Sequence, residues 1–258
     1  MAHHLRRVVL AVGLPIALVA AWWFATADST SFFWPPLRDI LGTFVETWWP
    51  DRLVGDVLPS LVRLLTGFAI AFVLGVGLGV AIGKSRALRA FLEPVLEFFR
   101  AIPPPVLVPI LILFFGISDT MKIVVIITGC VWPILLNTVE GVRGLDEVLS
   151  DTSRIYRLSR RARLWHHVLP GASPQIFAGA RQSLSVGIIL MVISEMFAAS
   201  NGLGFTIIQF QRTYAIPQMF SGIIVLGLLG VALALIFRLV EARILRWYLG
   251  LRAAQRGE

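Results

Sequence analysis

The chain has 258 residues, is 57% hydrophobic and only 15% charged, with a mean hydropathy of +0.81. Soluble domains are about 45–50% apolar, so the composition excludes an ordinary soluble protein and indicates one bundle of membrane spans. The net charge of +8 is nearly all arginine, read as topology before nucleic-acid affinity, and the single cysteine, Cys130, excludes an internal disulfide.

Residues 8–27 are uncharged and follow Arg6-Arg7. A spanning helix needs roughly 20 apolar residues, so this is the first predicted span. Ala25-Thr26-Ala27 resembles a signal cleavage site, but the apolar run exceeds the usual signal core of about 7–15 residues, and a retained helix is the reading. Residues 28–59 are polar, with Pro35-Pro36 and Trp48-Trp49-Pro50, and read as an external loop with a short helix around 37–48. The second span is 64–83. Gly67, Ala71, Gly75, Gly79 and Gly83 recur every fourth residue, a small-residue stripe that lets helices approach closely, read as packing within this subunit with a subunit-dimer face as the alternative.

Residues 91–100 are mixed, with Glu93, Glu97 and Arg100. The third apolar run, 101–118, contains Pro103, Pro104, Pro105 and Pro109 and cannot be a regular helix. Broken backbone at membrane depth is tolerated where it lines a cavity or is buried in protein. Pro103, Pro104, Pro109 and the flanking Arg100 are therefore pathway candidates, alongside the reading of the prolines as a turn at a helix start. A turn capped by Ser118 or Asp119 leads to the fourth span, 123–139, where Asn137 is either a pathway group or an interhelix hydrogen-bonding amide. The fifth span starts near Gln182 and holds Glu195. An acid inside a span is a functional candidate by default, with the alternative that it sits near the outer interface by the Ser200-Asn201-Gly202 turn. A short apolar piece, 205–210, precedes the sixth span, 213–237, and an arginine-rich tail.

Between the fourth and fifth spans lies the one long basic segment, DTSRIYRLSRRARLWHHVLPGASP, residues 151–174. Arg154, Arg157, Arg160, Arg161 and Arg163 alternate with Ile155, Leu158, Ala162, Trp165 and Leu169, which predicts one or two short amphipathic helices. Ser159 is the expected N-cap of the second, Pro170-Gly171 its expected stop, and Ser173-Pro174 the expected start of the next helix. Eighteen of the 23 lysines and arginines fall on the amino-terminal tail, 84–100, 143–181 and the carboxy-terminal tail. Positive residues mark the cytoplasmic side, so six spans with both termini inside are expected. The other five, Arg38, Arg52, Arg63, Lys122 and Arg212, fall on external segments and span edges in this reading.

This segment is similar to the cytoplasmic E-A-A-x3-G-x9-I-x-L-P motif of the inner-membrane permeases of ABC importers. Asp151, Thr152 and Ser153 stand at the EAA places, Arg157 at the glycine, His167 at the isoleucine, and Leu169-Pro170 match. Arg100-Ala101-Ile102-Pro103-Pro104, Val108-Pro109, Phe115-Gly116-Ile117, the run from Pro133 to Thr138, Gly141-Val142-Arg143, Glu195-Met196 and Gly202-Leu203-Gly204 resemble the nitrate/sulfonate/taurine type. The resemblance covers about residues 60–250 and implies an all-α, polytopic, type I importer bundle in the plasma or inner membrane. The implied domains are 1–59, a first helix and external loop; 60–250, the permease domain with its coupling loop at 140–173; and 251–258, a cytoplasmic tail.

It further implies a second permease copy, a separate ABC ATPase docking on the loop (Asp151, Thr152, Ser153, Arg157, Arg161, His167, Leu169, Pro170), and an extracytoplasmic binding protein that delivers a small solute. That solute is expected to be an anion such as sulfonate, taurine, nitrate or bicarbonate. No G-x-x-x-x-G-K-[ST] loop is present, so ATP hydrolysis is expected on the partner. No catalytic set, cofactor, metal site or nucleic-acid partner is expected; anionic lipid is. Glycine at the Arg157 place would turn more freely than arginine. The rival reading is a secondary transporter or channel using Glu195.

Overall fold

A computed structural model of the chain describes residues 2–197, 199–248 and 250, with side chains described from Gly13 onward. The expected tail, 251–258, lies outside the described residues. All regular structure among the described residues is helical. In chain order the helices are α1 (Ala2–Thr26), α2 (Leu37–Trp48), α3 (Leu58–Lys84), α4 (Arg86–Ala101), α5 (Val108–Phe115), α6 (Asp119–Arg143), α7 (Glu147–Ile155), α8 (Arg160–Arg163), α9 (Leu169–Phe197), α10 (Leu203–Arg212) and α11 (Ile216–Ile244).

Four stretches among the described residues are long and apolar enough to cross a membrane: Leu53–Lys84, Asp119–Arg143, Arg160–Phe197 and Ile216–Ile244. A fifth forms if α4 and the Pro104–Phe115 piece, bent by 80°, count as one broken span. The remaining expected span falls on α1, whose described apolar part is the shorter Gly13–Thr26. The proline-rich run breaks as expected. Ile102 and Pro103 are extended, and Pro104–Leu107 forms a 3-10 turn into α5.

Helix α6 is the axis of the bundle. The small-residue stripe of α3 packs on it: a methyl group added at Gly67 would lie 2.8 Å from Ile126, at Gly75 2.8 Å from Ile134, and at Gly83 2.8 Å from Val142. The stripe is thus used inside the subunit. On its other side α6 meets α9, where Ser183 Oγ donates to the Cys130 carbonyl (2.6 Å) and Cys130 Sγ donates to the Ser183 carbonyl (3.2 Å). The core between them includes Leu64, Ile126, Cys130, Ile134, Leu184 and Met191. Helix α2, which the sequence places correctly, is tied to α11 by the buried Trp48 Nε1–Ser221 Oγ hydrogen bond (2.9 Å).

One expectation fails. Pro170-Gly171 does not stop a helix, and Ser173-Pro174 does not start one; residues 160–197 run as one helical stretch. A π-helical turn, Leu164–Val168, lies immediately before Leu169-Pro170 and accommodates the missing proline donor. Pro174 cannot bond to the Pro170 carbonyl, and the Ser173 hydroxyl donates to that oxygen instead (2.6 Å). The same arrangement of π-turn (Leu53–Val57) and Leu58-Pro59 leads into α3.

Candidate functional site

The basic segment folds as two short helices joined at Arg157. Helix α7 ends with Arg157 N–H donating to the Arg154 carbonyl (2.9 Å) and Leu158 N–H to the Ser153 carbonyl (3.1 Å). This 5→2 and 6→1 pair defines a Schellman motif. Its left-handed residue is Arg157, at φ 52°. The sequence reading holds that arginine turns less freely than glycine here; the structure shows arginine in the glycine conformation, held by these bonds. Ser159 then caps α8, accepting from Ala162 N–H at 3.2 Å, as expected.

The turn is pinned from behind and open in front. Ser153 is buried and donates to the Ser150 carbonyl, while Ser150 Oγ and His167 Nε2 lie 3.0 Å apart, bridging α7 to the π-turn. Leu169 and Pro170 are half-buried at the start of α9. Asp151, Thr152, Arg157 and Arg161 are exposed, as are Ile155 (78%), Tyr156 (76%) and Trp165 (60%). A rigid turn thus presents arginines and large apolar groups together. Of the eight residues singled out in this segment, Ser153, His167, Leu169 and Pro170 build the turn, and the other four face outward.

The pathway candidates do not converge. Arg100 is exposed and pairs with Glu97 on its own helix. Pro103 and Pro109 are exposed, and Pro104 packs beside Gly129 of α6. Asn137 is half-buried and donates to the Pro133 carbonyl of its own helix (2.8 Å), and its β-carbon packs against Gly179 of α9. Arg181 of α9 pairs with Glu241 of α11.

Glu195 is fully buried and is the hub of a charge network that sequence reading missed. Its carboxylate accepts from Arg63 Nη1 (2.8 Å), Ser60 Oγ (2.8 Å from either oxygen) and the Gly204 N–H (3.0 Å). Arg63 also bonds Asp119 (2.8 Å) and the Asn201 side chain (2.5 Å), and Lys122 bonds Asp119 (3.3 Å). Arg63 and Lys122, assigned above to external segments and span edges, are each only 4% exposed at the side chain.

Three successive amides at the start of α10 find acceptors on other elements. Gly202 N–H donates to Asp56, Leu203 N–H to Ser60 Oγ, and Gly204 N–H to Glu195. These are the orphan donors of a helix start, satisfied without a local cap. Gly202 sits at φ 119°, and a β-carbon there would lie 2.5 Å from the Glu195 carboxyl carbon, so glycine is required twice over. The signal in the sequence is the spacing of Asp56, Ser60 and Arg63, which puts all three on one helical face.

The fold and these features define a class: a polytopic helical membrane bundle whose basic end carries a structured, partly apolar turn. Residues 71–246 match the family described as "Binding-protein-dependent transport system inner membrane component", and the chain belongs to it. It is a permease component of an ABC importer. It is similar to the taurine transport system permease protein TauC of Escherichia coli (strain K12), 30% identical, covering 94% of this chain and 91% of that one. It is similar to the putative aliphatic sulfonates transport permease protein SsuC of Bacillus subtilis (strain 168), 29% identical over 91% and 86% of the two chains. The bicarbonate transport system permease protein CmpB of Synechococcus elongatus is 32% identical, over 75% of this chain and 70% of its own. Among solved structures, an inward-facing MetNI methionine ABC transporter shares the fold, with a TM-score of 0.62 and 22% identity over 76% of this chain and 96% of that one.

Proposed function

We propose that this chain, paired with a second permease copy, forms the pathway for a small oxyanion delivered by an extracytoplasmic binding protein. The sulfonate, taurine and bicarbonate named for its relatives support that substrate class. ATP is hydrolysed on a separate ATPase subunit that docks on the turn around Arg157, and both termini lie on the same side as that turn.

The observation that carries the coupling role is mechanical. The turn is joined without a break to the helical stretch 160–197, 38 residues long. At about 1.5 Å per residue it reaches roughly 55 Å. One end carries the exposed Arg157 and Arg161; the other carries Glu195, locked to α3 and α6 through Arg63 and to α10 through the Gly204 N–H. A push on the turn is delivered along one rod to the opposite ends of three helices. Pro174, a weak point in most helices, is shored up by the Ser173 hydroxyl.

The exposed face fits a protein partner of mixed character. Ile155, Tyr156 and Trp165 supply apolar anchors, and Arg157, Arg160 and Arg161 supply positive charge for acidic side chains. The test is co-purification of the ATPase with an Arg157→Glu/Arg161→Glu chain. Loss of the ATPase is expected, with the bundle's melting midpoint unchanged; full retention would sink the docking assignment.

A further inference from the structure

At the basic end of the bundle a recess of about 670 Å3 lies between the α3–α4 junction, the end of α6 and the inner side of the turn. Six cations line it: Lys84, Arg86, Arg89, Arg143, Arg154 and Arg163. Two of them have carboxylate partners, Arg143 with Glu140 and Arg154 with Asp151, both i,i+3 pairs on the outer surface. Among the described residues, Lys84, Arg86, Arg89 and Arg163 have no carboxylate at ion-pair distance, which leaves four positive charges facing one space. The Arg163 guanidinium stands near enough to Lys84 for the two to repel. Ser150 and His167, which bridge α7 to the π-turn, add neutral polar groups to the wall.

Like charges gathered around a recess are unfavourable until a counter-charge fills it. Arginine forks match phosphate oxygens two at a time, and basic pockets between spans recognise phosphate headgroups. One monoanion cannot balance four charges, and the volume exceeds what a single phosphate fills. The outward arginines of the turn, Arg157, Arg160 and Arg161, are not among the lining residues, so the recess is distinct from the proposed ATPase-docking face.

We propose that this recess is a binding site for a bis-phosphate anion, either the headgroup of a two-phosphate lipid or a free polyphosphate. Occupancy would tie the turn to the ends of α3, α4 and α6 and stiffen the joint through which the turn moves. The proposal rests on the recess alone and holds whatever solute the protein carries.

The test uses the full chain in neutral detergent, titrated with cardiolipin and, separately, with inorganic pyrophosphate, read by native mass spectrometry. Wild type is expected to bind, and Lys84→Gln/Arg163→Gln to bind about tenfold more weakly or worse, while Lys84→Arg keeps wild-type binding. Arg86→Gln/Arg89→Gln, on α4, provides a second lesion should the first variant not fold. Arg238→Gln/Arg243→Gln, on α11, is the control and should change binding less than about twofold. Binding of cardiolipin alone identifies a lipid headgroup as the source, and binding of pyrophosphate alone identifies a free polyphosphate; either supports the site. If neither binds, if the control loses as much as the recess variants, or if bound ATPase abolishes probe binding, the proposal is overturned.

Discussion

Arg157→Gly is expected to stabilise the turn, although it deletes a charge from the basic segment. Arg157 holds φ at 52°, a conformation that costs an L-residue roughly 1–2 kcal/mol and glycine almost nothing. Against this, glycine gives the unfolded chain about 0.5–1 kcal/mol of extra freedom. The balance is a gain of about 0.5–1 kcal/mol. Hydrogen exchange of the Arg157 and Leu158 amides, which close the Schellman motif on Arg154 and Ser153, reads local opening directly. The gain converts to exchange roughly two- to fivefold slower. Arg157→Ala separates backbone from side chain, since it removes the guanidinium but keeps most of the left-handed cost. Glycine should therefore protect more than alanine, and alanine about as well as arginine. Equal protection in glycine and alanine, or faster exchange in glycine, would refute the argument that backbone conformation dominates here.

The buried network should behave as one unit. Glu195→Leu or Arg63→Met alone should cost about 3–5 kcal/mol by stranding a charge, and the double variant should recover part of that loss; simple additivity in a melting cycle would show that the two do not interact. Gly79→Leu should destabilise by about 1–3 kcal/mol, because its β-carbon would fall 2.6 Å from Thr138 Cβ, whereas Gly77→Ala, with open space around it, should be nearly neutral; comparable melting shifts at both positions would contradict the packing of α3 on α6. Ser183→Ala should cost about 1–2 kcal/mol by leaving the Cys130 carbonyl without its hydroxyl donor, and a thiol reagent should then label Cys130 faster than in wild type, where the thiol is buried.

Much of the bundle was legible because local signals agreed with tertiary demand. The α3 stripe of small residues needs a close neighbour wherever it lies, and α6 is that neighbour. Pro103 to Pro105 break any helix, and the chain bends there by 80°. Ser118 and Ser159 cap the helices they precede. What misled was punctuation that the fold overrides. Pro170-Gly171 argues for a stop and Ser173-Pro174 for a fresh start, but a π-turn and the Ser173 hydroxyl supply what the prolines lack. The charge network was hidden for a different reason. Its members, Asp56 to Asn201, are far apart in sequence, and a charge at the end of an apolar run looks the same whether it meets water or another helix end. Only Glu195 stood out, because it alone interrupts a run.

The coupling role proposed for the turn at residues 151–170 is transmission of the ATPase cycle to the bundle. It is tested most directly by ATPase activity of the complex reconstituted with its cognate binding protein, comparing wild type with Leu169→Asp/Pro170→Ala. These two residues join the turn to the long helix, where both are half-buried. Stimulation by loaded binding protein should disappear in the variant while ATPase still co-purifies and the bundle still melts cooperatively. Undiminished stimulation in that variant, or solute uptake without any ATPase subunit, would contradict that role.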